Sequence, residues 1–224
     1  MATPYSITIT MDQNTVNKLV ASGFKLYGFK GAKTTLQGGA PLIWFQTEKF
    51  SLTTEVSWTE QYQAYTSLSQ IIPNGQIEAS AAYNISLGQT LNVTNVSGTG
   101  QVVTGGTENA ISINNKNTTP FTCGVSQVNS VTKVAKPLCA FPLYGLALDV
   151  LAPIELVMLE FATEAHNTGT VIYQAFSQAA LIDLTSQSQI PVTFDINQGW
   201  SAGGTPSVRF FPAGTNLAPL LLKP

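Results

Sequence analysis

Histidine is the side chain most often used to move protons near neutral pH. The chain has one, His166, in the string Thr163-Glu164-Ala165-His166-Asn167-Thr168-Gly169. That string reads as a solvated turn. Glu164 stands two residues before it, yet a single imidazole and two thiols, Cys123 and Cys139, show no spacing that a zinc site uses. The two cysteines read as small, partly buried thiols. A nucleophilic serine would need a Gly-x-Ser-x-Gly turn, which is absent. Nothing in the sequence brings His166 to Cys123 as the base that a thiol nucleophile needs. Carboxylate pairs are the remaining chemistry. Asp183 with Asp195, or Glu155 with Glu160, would have to face each other across strands to split a glycosidic bond. Such carboxylates are also common on solvated strand faces. Thr104-Gly105-Gly106-Thr107 precedes neither a helix nor a lysine, so it is no phosphate loop. The chain therefore reads as a non-enzyme, with no catalytic, cofactor-binding or metal-binding residue and no cofactor.

Aromatic side chains carry more information. Most belong to a core, which aromatics dominate in β-sandwiches. Trp44, Trp58, Tyr83 and Trp200 are the ones read as surface-binding aromatics, suited to a sugar or a lipid headgroup.

The elements that must position these residues are strands. The 224 residues are 44% hydrophobic and 10% charged, against roughly 25% charged in ordinary soluble domains. Ser, Thr, Asn, Gln and Gly supply the polarity, a mix that favours strands and turns over helices. The net charge of −2, without a basic run, excludes a nucleic-acid partner. No apolar stretch has the length of a membrane helix, and no signal peptide is visible at Met1-Ala2-Thr3-Pro4-Tyr5. The expected location is thus the cytoplasm, or outside the cell by a non-classical route.

Ser6 to Met11 alternates polar and apolar residues, the pattern of a half-buried strand. One short helix is predicted next, capped by Asp12 or Asn14, carrying Val16, Leu19 and Val20, and stopped at Gly23. Strands are also predicted at Leu42-Ile43-Trp44-Phe45, at 154–161, at 54–58 and at 169–173, with a turn at Pro73-Asn74-Gly75. Val125, Val128, Val131 and Val134 recur every third residue, a spacing that fits a bulged strand or an exposed loop.

Four short matches recur in order along the chain. Phe24-Lys25-Leu26-Tyr27-Gly28 returns as Phe141-Pro142-Leu143-Tyr144-Gly145, and Tyr62-Gln63-Ala64-Tyr65 as Tyr173-Gln174-Ala175-Phe176. Ala40-Pro41-Leu42 and Tyr83-Asn84-Ile85 return as Ala152-Pro153-Ile154 and Phe194-Asp195-Ile196. They predict an internal duplication, with pseudo-two-fold halves at 24–90 and 141–201, separated by a Ser/Thr/Asn-rich β segment at 91–140. In that duplication Tyr65 and Phe176 would be matched core anchors, and Gly88 would match Gly199. The fold class is all-β, a single sandwich or barrel-like domain over 1–224.

Residues 84–132 contain only two charges, Glu108 and Lys116. In texture this stretch resembles the Ser/Thr-rich amphipathic hairpins of small β-pore-forming toxins. Residues 85–96 and 102–113 each have the length of a membrane strand, joined by a Gly-rich turn. The resemblance implies an oligomeric pore-former or toxin component; as ordinary half-buried strands, the hairpin would pack permanently on the core. The expected function is non-enzymatic recognition at a cell surface or membrane, with lipid or glycan as partner and homo-oligomers expected. The alternatives are a lectin-like carbohydrate-binding module and a structural or self-assembling protein, since low charge favours packing between copies.

Overall fold

The computed structural model describes residues 4–224. The chain opens on β1 (Pro4–Thr10), whose alternation buries Ile7 and Ile9 on one face. Asp12 then caps the helix α1 (Gln13–Ala21): its carboxylate accepts the Thr15 N–H at 2.6 Å. The chain leaves the helix through Gly23 at φ 70°. Next come β2 (Lys25–Thr34), the short β3 (Ala40–Pro41) and β4 (Phe45–Thr47), and the long β5 (Thr53–Ser67). The middle of the chain supplies β6 (Ala81–Ile85), β7 (Gln89–Val93), β8 (Gly100–Thr104), β9 (Ile111–Asn115), β10 (Phe121–Asn129), β11 (Ala135–Pro137) and β12 (Cys139–Leu143). A second long strand, β13 (Leu148–Ala162), leads to β14 (Ala179–Asp183), β15 (Gln189–Asp195), β16 (Gly199–Ser201) and β17 (Val208–Phe211). A short helix α2 (Ala218–Leu221) and β18 (Leu222–Lys223) end it.

These strands form two packed sheets, and the all-β sandwich reading holds. One sheet runs β16-β15-β1-β5-β10-β12-β3, with β6 and β11 beside it. The other runs β17-β14-β13-β9-β7-β8 and also carries β2, β4 and β18. Between them lies the main core, built from inward positions such as Ile9, Leu26, Val56, Ile113, Val157 and Leu159. A second apolar cluster, with Tyr27, Phe29, Met158 and Leu181, covers the outer face of the second sheet. Ile172, Ala175 and α2 roof it.

Several expectations meet corrections. The chain has a second helix, α2, because Leu217 and Leu221 anchor that turn on the outer cluster. Of the run at Leu42–Phe45 only Phe45 enters a strand, β4, paired with β2; Leu42 makes an isolated bridge to Val171, and β3, paired with β12, ends just before it. Residues 169–173 make only isolated bridges, Leu42 with Val171 and Gln76 with Thr170. The valine spacing begins in a bulged strand: β10 shifts register between Gln127 and Asn129, burying Val125 and exposing Val128.

The structure does not show the duplication. Phe24 precedes β2 of one sheet, whereas Phe141 lies in β12 of the other. Tyr62 sits in β5, and Tyr173 outside any strand. Tyr65 is fully buried, whereas Phe176 is half-buried. Gly88 and Gly199 share only a positive φ in a turn.

Candidate functional site

The densest group of functional side chains is enclosed between the sheets. Even-numbered positions of β2 face the main core, which places Lys30 there at 0% exposure. Opposite it, β13 shifts register on β2: Pro153 pairs with Ala32, but the next pair is Val157 with Lys30. Glu155 lies in that irregular stretch and keeps the alternation of β13, on the core side with Leu151, Val157 and Leu159. Glu155 Oε2 accepts from Lys30 Nζ at 2.6 Å and from Trp58 Nε1 at 2.7 Å. Tyr62 donates its hydroxyl to Oε1 at 3.4 Å. The ammonium lies 4.6 Å from the Trp58 ring and 5.6 Å from that of Trp44. Burial pushes the Lys30 amine down to about 8, against the upward pull of Glu155. Each charge has its counter-ion, so the box is a satisfied structural unit. Tyr5 stacks on Trp58 at its outer side and donates to Glu60 at 3.0 Å.

The sequence-derived aromatics are mostly inside. Trp44, Trp58 and Trp200 are buried, which corrects their reading as surface-binding residues. Each indole N–H is spent within the protein: Trp44 on Gln127 O, Trp58 on Glu155 and Trp200 on Gln178 O. Tyr83 is half-buried, and its hydroxyl accepts the Gly100 N–H at 2.9 Å.

The carboxylate pairs separate. Asp183 and Asp195 each hold a turn, accepting the N–H of Thr185 and those of Asn197 and Gln198. Glu155 enters the main core, while Glu160 of the same strand accepts the N–H groups of Phe176 and Ser177, at 2.9 and 3.2 Å. Glu160 Oε1 is buried without a partner, and burial pushes that carboxyl up to about 7. Asp149, also buried, meets Cys123 Sγ at 3.6 Å and Thr34 Oγ1 at 3.3 Å; burial raises it to about 6. Cys123 and Cys139 are free and buried, and burial pushes both thiols up. His166 stacks on Phe176 with ring centroids 5.2 Å apart.

One end of the sandwich has the opposite character. Three connections meet there: residues 94–99 between β7 and β8, 116–119 after β9, and 144–147 after β12. The side chain of Asn115, 1% exposed, donates to Thr119 O at 2.7 Å and to Tyr144 O at 3.1 Å. Asn117 donates to Asn95 O at 3.3 Å and accepts the Leu146 N–H through its carbonyl at 2.9 Å. A Cβ on Gly145 would lie 2.3 Å from Thr118 O, so only glycine permits this approach.

This frame presents apolar side chains outward. Val96 is 72% exposed, Leu146 69% and Tyr144 62%. Leu68, 64% exposed, follows β5 at the same end, where Ser67 pairs with Thr122. Among the described residues these are the four most exposed large apolar side chains. Leu146 also adopts φ 57°, a left-handed conformation that costs a non-glycine residue about 1–2 kcal/mol. The three connections contain no acidic residue, and Lys116 there is exposed. The sequence reading passed over these residues because isolated Val, Tyr and Leu in turns carry no periodic signal.

The stretch compared above with toxin segments does not form two membrane-length strands: 85–96 holds the end of β6 and β7, 102–113 parts of β8 and β9, and these strands are built into the sandwich. Leu91, Val93, Ile111 and Ile113 are all at 0% exposure in the main core. No helix in the described residues is long and apolar enough to cross a membrane. No protein-family model matches the chain, and neither does any curated protein or any solved structure.

Proposed function

We propose that this is a non-enzymatic recognition protein that docks on a lipid surface through its three-connection end. The observation that carries the reading is the grouping of Val96, Tyr144 and Leu146, all largely exposed, on connections cross-braced by Asn115 and Asn117. Exposed apolar groups held on a rigid frame lose little conformational freedom on binding. A tyrosine suits the interface between headgroups and acyl chains. Lys116 adds attraction to anionic headgroups, worth about 1 kcal/mol at such a surface. The reading is docking without strand insertion, since the apolar side of β7 and β9 already serves the core.

Sedimentation with phosphatidylcholine vesicles, with and without phosphatidylserine, tests this. The wild-type protein is expected to pellet with vesicles, more strongly when phosphatidylserine is present. Val96→Ser, Tyr144→Ser and Leu146→Ser are each expected to weaken partition by roughly tenfold, from the lost apolar burial. A wild-type protein that stays in the supernatant with every vesicle would refute the reading.

A further inference from the structure

A second surface has a different chemistry. The turn at Pro73-Asn74-Gly75 and the segment 172–176 flank a cleft of about 380 Å³, a size found among small-ligand sites. Its lining is Pro73, Asn74, Tyr173, Gln174 and Phe176, over Ile172 and Ala175. No charged side chain is among them.

The walls are fixed by backbone hydrogen bonds. Gly75 N donates to Ile72 O at 2.9 Å, with Pro73 and Asn74 as the central residues and Asn74 at φ 61°. Proline first and a positive φ second is the pattern of a type II turn. Asn74 N donates to Val171 O at 2.9 Å, which ties this wall to the other. On that side Leu217 N donates to Tyr173 O, Ala175 N donates to Thr215 O, and Phe176 N donates to buried Glu160. Phe176 is braced by the stacked His166 ring and by the edge of Tyr27, 5.8 Å away.

The side chains facing the cleft are left uncommitted. Among the described residues, no side-chain hydrogen bond is made by the Asn74 or Gln174 amide or by the Tyr173 hydroxyl, and Gln174 is exposed. Tyr173 is half-buried, packed along the apolar cluster of Leu42, Ile77 and Val171, and no other aromatic ring stacks on it. A rigid cleft with one partly exposed aromatic ring, two amides and a phenol without partners in the protein, and no charge fits a neutral ligand. That ligand must have an apolar face to lie on the ring and hydroxyls at its rim to meet the amides. A pyranose sugar has both, its axial C–H face being apolar and its equatorial hydroxyls each a donor and an acceptor. A charged ligand would lose its hydration here without a counter-ion.

We infer that the cleft between Asn74 and Tyr173 is a binding site for a neutral carbohydrate. It is separate in residues and in chemistry from the apolar end proposed to meet lipid. Tyr173 supplies the stacking face, Asn74 and Gln174 supply the amide contacts, and Phe176 closes the apolar wall.

Saturation-transfer NMR with glucose, galactose, mannose, N-acetylglucosamine, lactose and maltose tests the assignment, followed by titration of each responding sugar. At least one is expected to respond, with the sugar's ring protons nearest the protein. Tyr173→Ala is expected to weaken that sugar by about tenfold or more, the order of a stacking contact plus a hydrogen bond. Gln174→Ala, at an exposed position that leaves the fold intact, is expected to weaken it several-fold. Tyr173→Phe, which keeps the ring, should lose less than Tyr173→Ala. Absence of any response across the panel would overturn the inference, as would a Gln174→Ala variant that binds the sugar as well as the wild type. Vesicle partition of Gln174→Ala should equal that of the wild type, so failure at this site and failure of lipid docking are read separately.

Discussion

The enclosed box around Glu155 and the apolar end around Leu146 reverse the ordinary placement of side chains. In the first, an ammonium and a carboxylate are removed from water. In the second, valine, tyrosine and leucine are left in it. The box is complete in itself: Trp58, Tyr62 and Lys30 occupy the carboxylate, and the surrounding rings take the ammonium. Its desolvation cost is offset only while every partner is present. The apolar end has no such internal return. Its asparagines satisfy backbone carbonyls, but the side chains they hold outward contact little of the protein, and Leu146 keeps a strained φ. Apolar side chains left in water on a rigidly built frame are where a binding function is best sought.

The largest effect is expected at the box. Lys30→Met is expected to destabilise the protein by about 3–5 kcal/mol in a denaturant titration, because it strands a buried carboxylate. Combining it with Glu155→Leu should recover much of that loss, since two apolar residues need no counter-ion. A single-variant loss below about 1 kcal/mol would show that water reaches Glu155.

The next effect is on pH dependence. Burial raises the folded-state values of Glu160 and Asp149 to about 7 and about 6. Both lie above the ordinary carboxyl range, so the folded chain holds these protons more tightly than the unfolded chain does. The stability they contribute is fully present below the unfolded values and is lost as pH rises through about 6 to about 7. The denaturation midpoint is therefore expected to be higher at a pH of about 5 than at about 8. Glu160→Gln, which mimics the protonated group, should remove a share on the order of 2–3 kcal/mol. An unchanged pH profile in that variant would assign the slope elsewhere.

Leu146→Gly should have a smaller effect. Glycine accepts the left-handed φ without strain, and the lost side chain was exposed. Stability is expected to rise by about 1 kcal/mol while vesicle partition falls. A fall in both would mean that the leucine serves the fold after all. The smallest expected effect is at His166. Its ring stacks on Phe176, while its backbone N–H, not its imidazole, meets the Tyr27 hydroxyl. His166→Ala should cost under about 1 kcal/mol and leave vesicle binding unchanged; a loss of partition there would draw the Phe176 surface into lipid docking.

Much of the architecture was legible from local patterns. Ile7 and Ile9 alternate with polar residues and mark β1, and Asp12 with Gly23 brackets α1. These features depend on neighbours in the chain, so composition and period decide them. The strand at 154–161 is different: alone its composition reads as helix, and its reading as a strand leaned on the supposed counterpart at 42–45. The supposed repeat shows the limit of such reading. Tyr62-Gln63-Ala64-Tyr65 and Tyr173-Gln174-Ala175-Phe176 look alike as strings, yet one pairs within a sheet and the other lies in a loop. Which strand partners are available to a segment is not written in the segment.

Strand content and low charge were already plain in the amino-acid sequence, because alternation, turn residues and composition act over a few neighbouring positions. Tertiary structure alone decided that Trp44, Trp58 and Trp200 are core, that Glu155 meets Lys30, and that Val96 and Leu146 stand outward on one end. The first depends on how two sheets face each other, and the second on β2 and β13 lying side by side with Lys30 and Glu155 on their shared core face. The third depends on loops distant in sequence being tied by two asparagines. Each is a meeting of residues far apart in the chain, and only the packed fold brings them together.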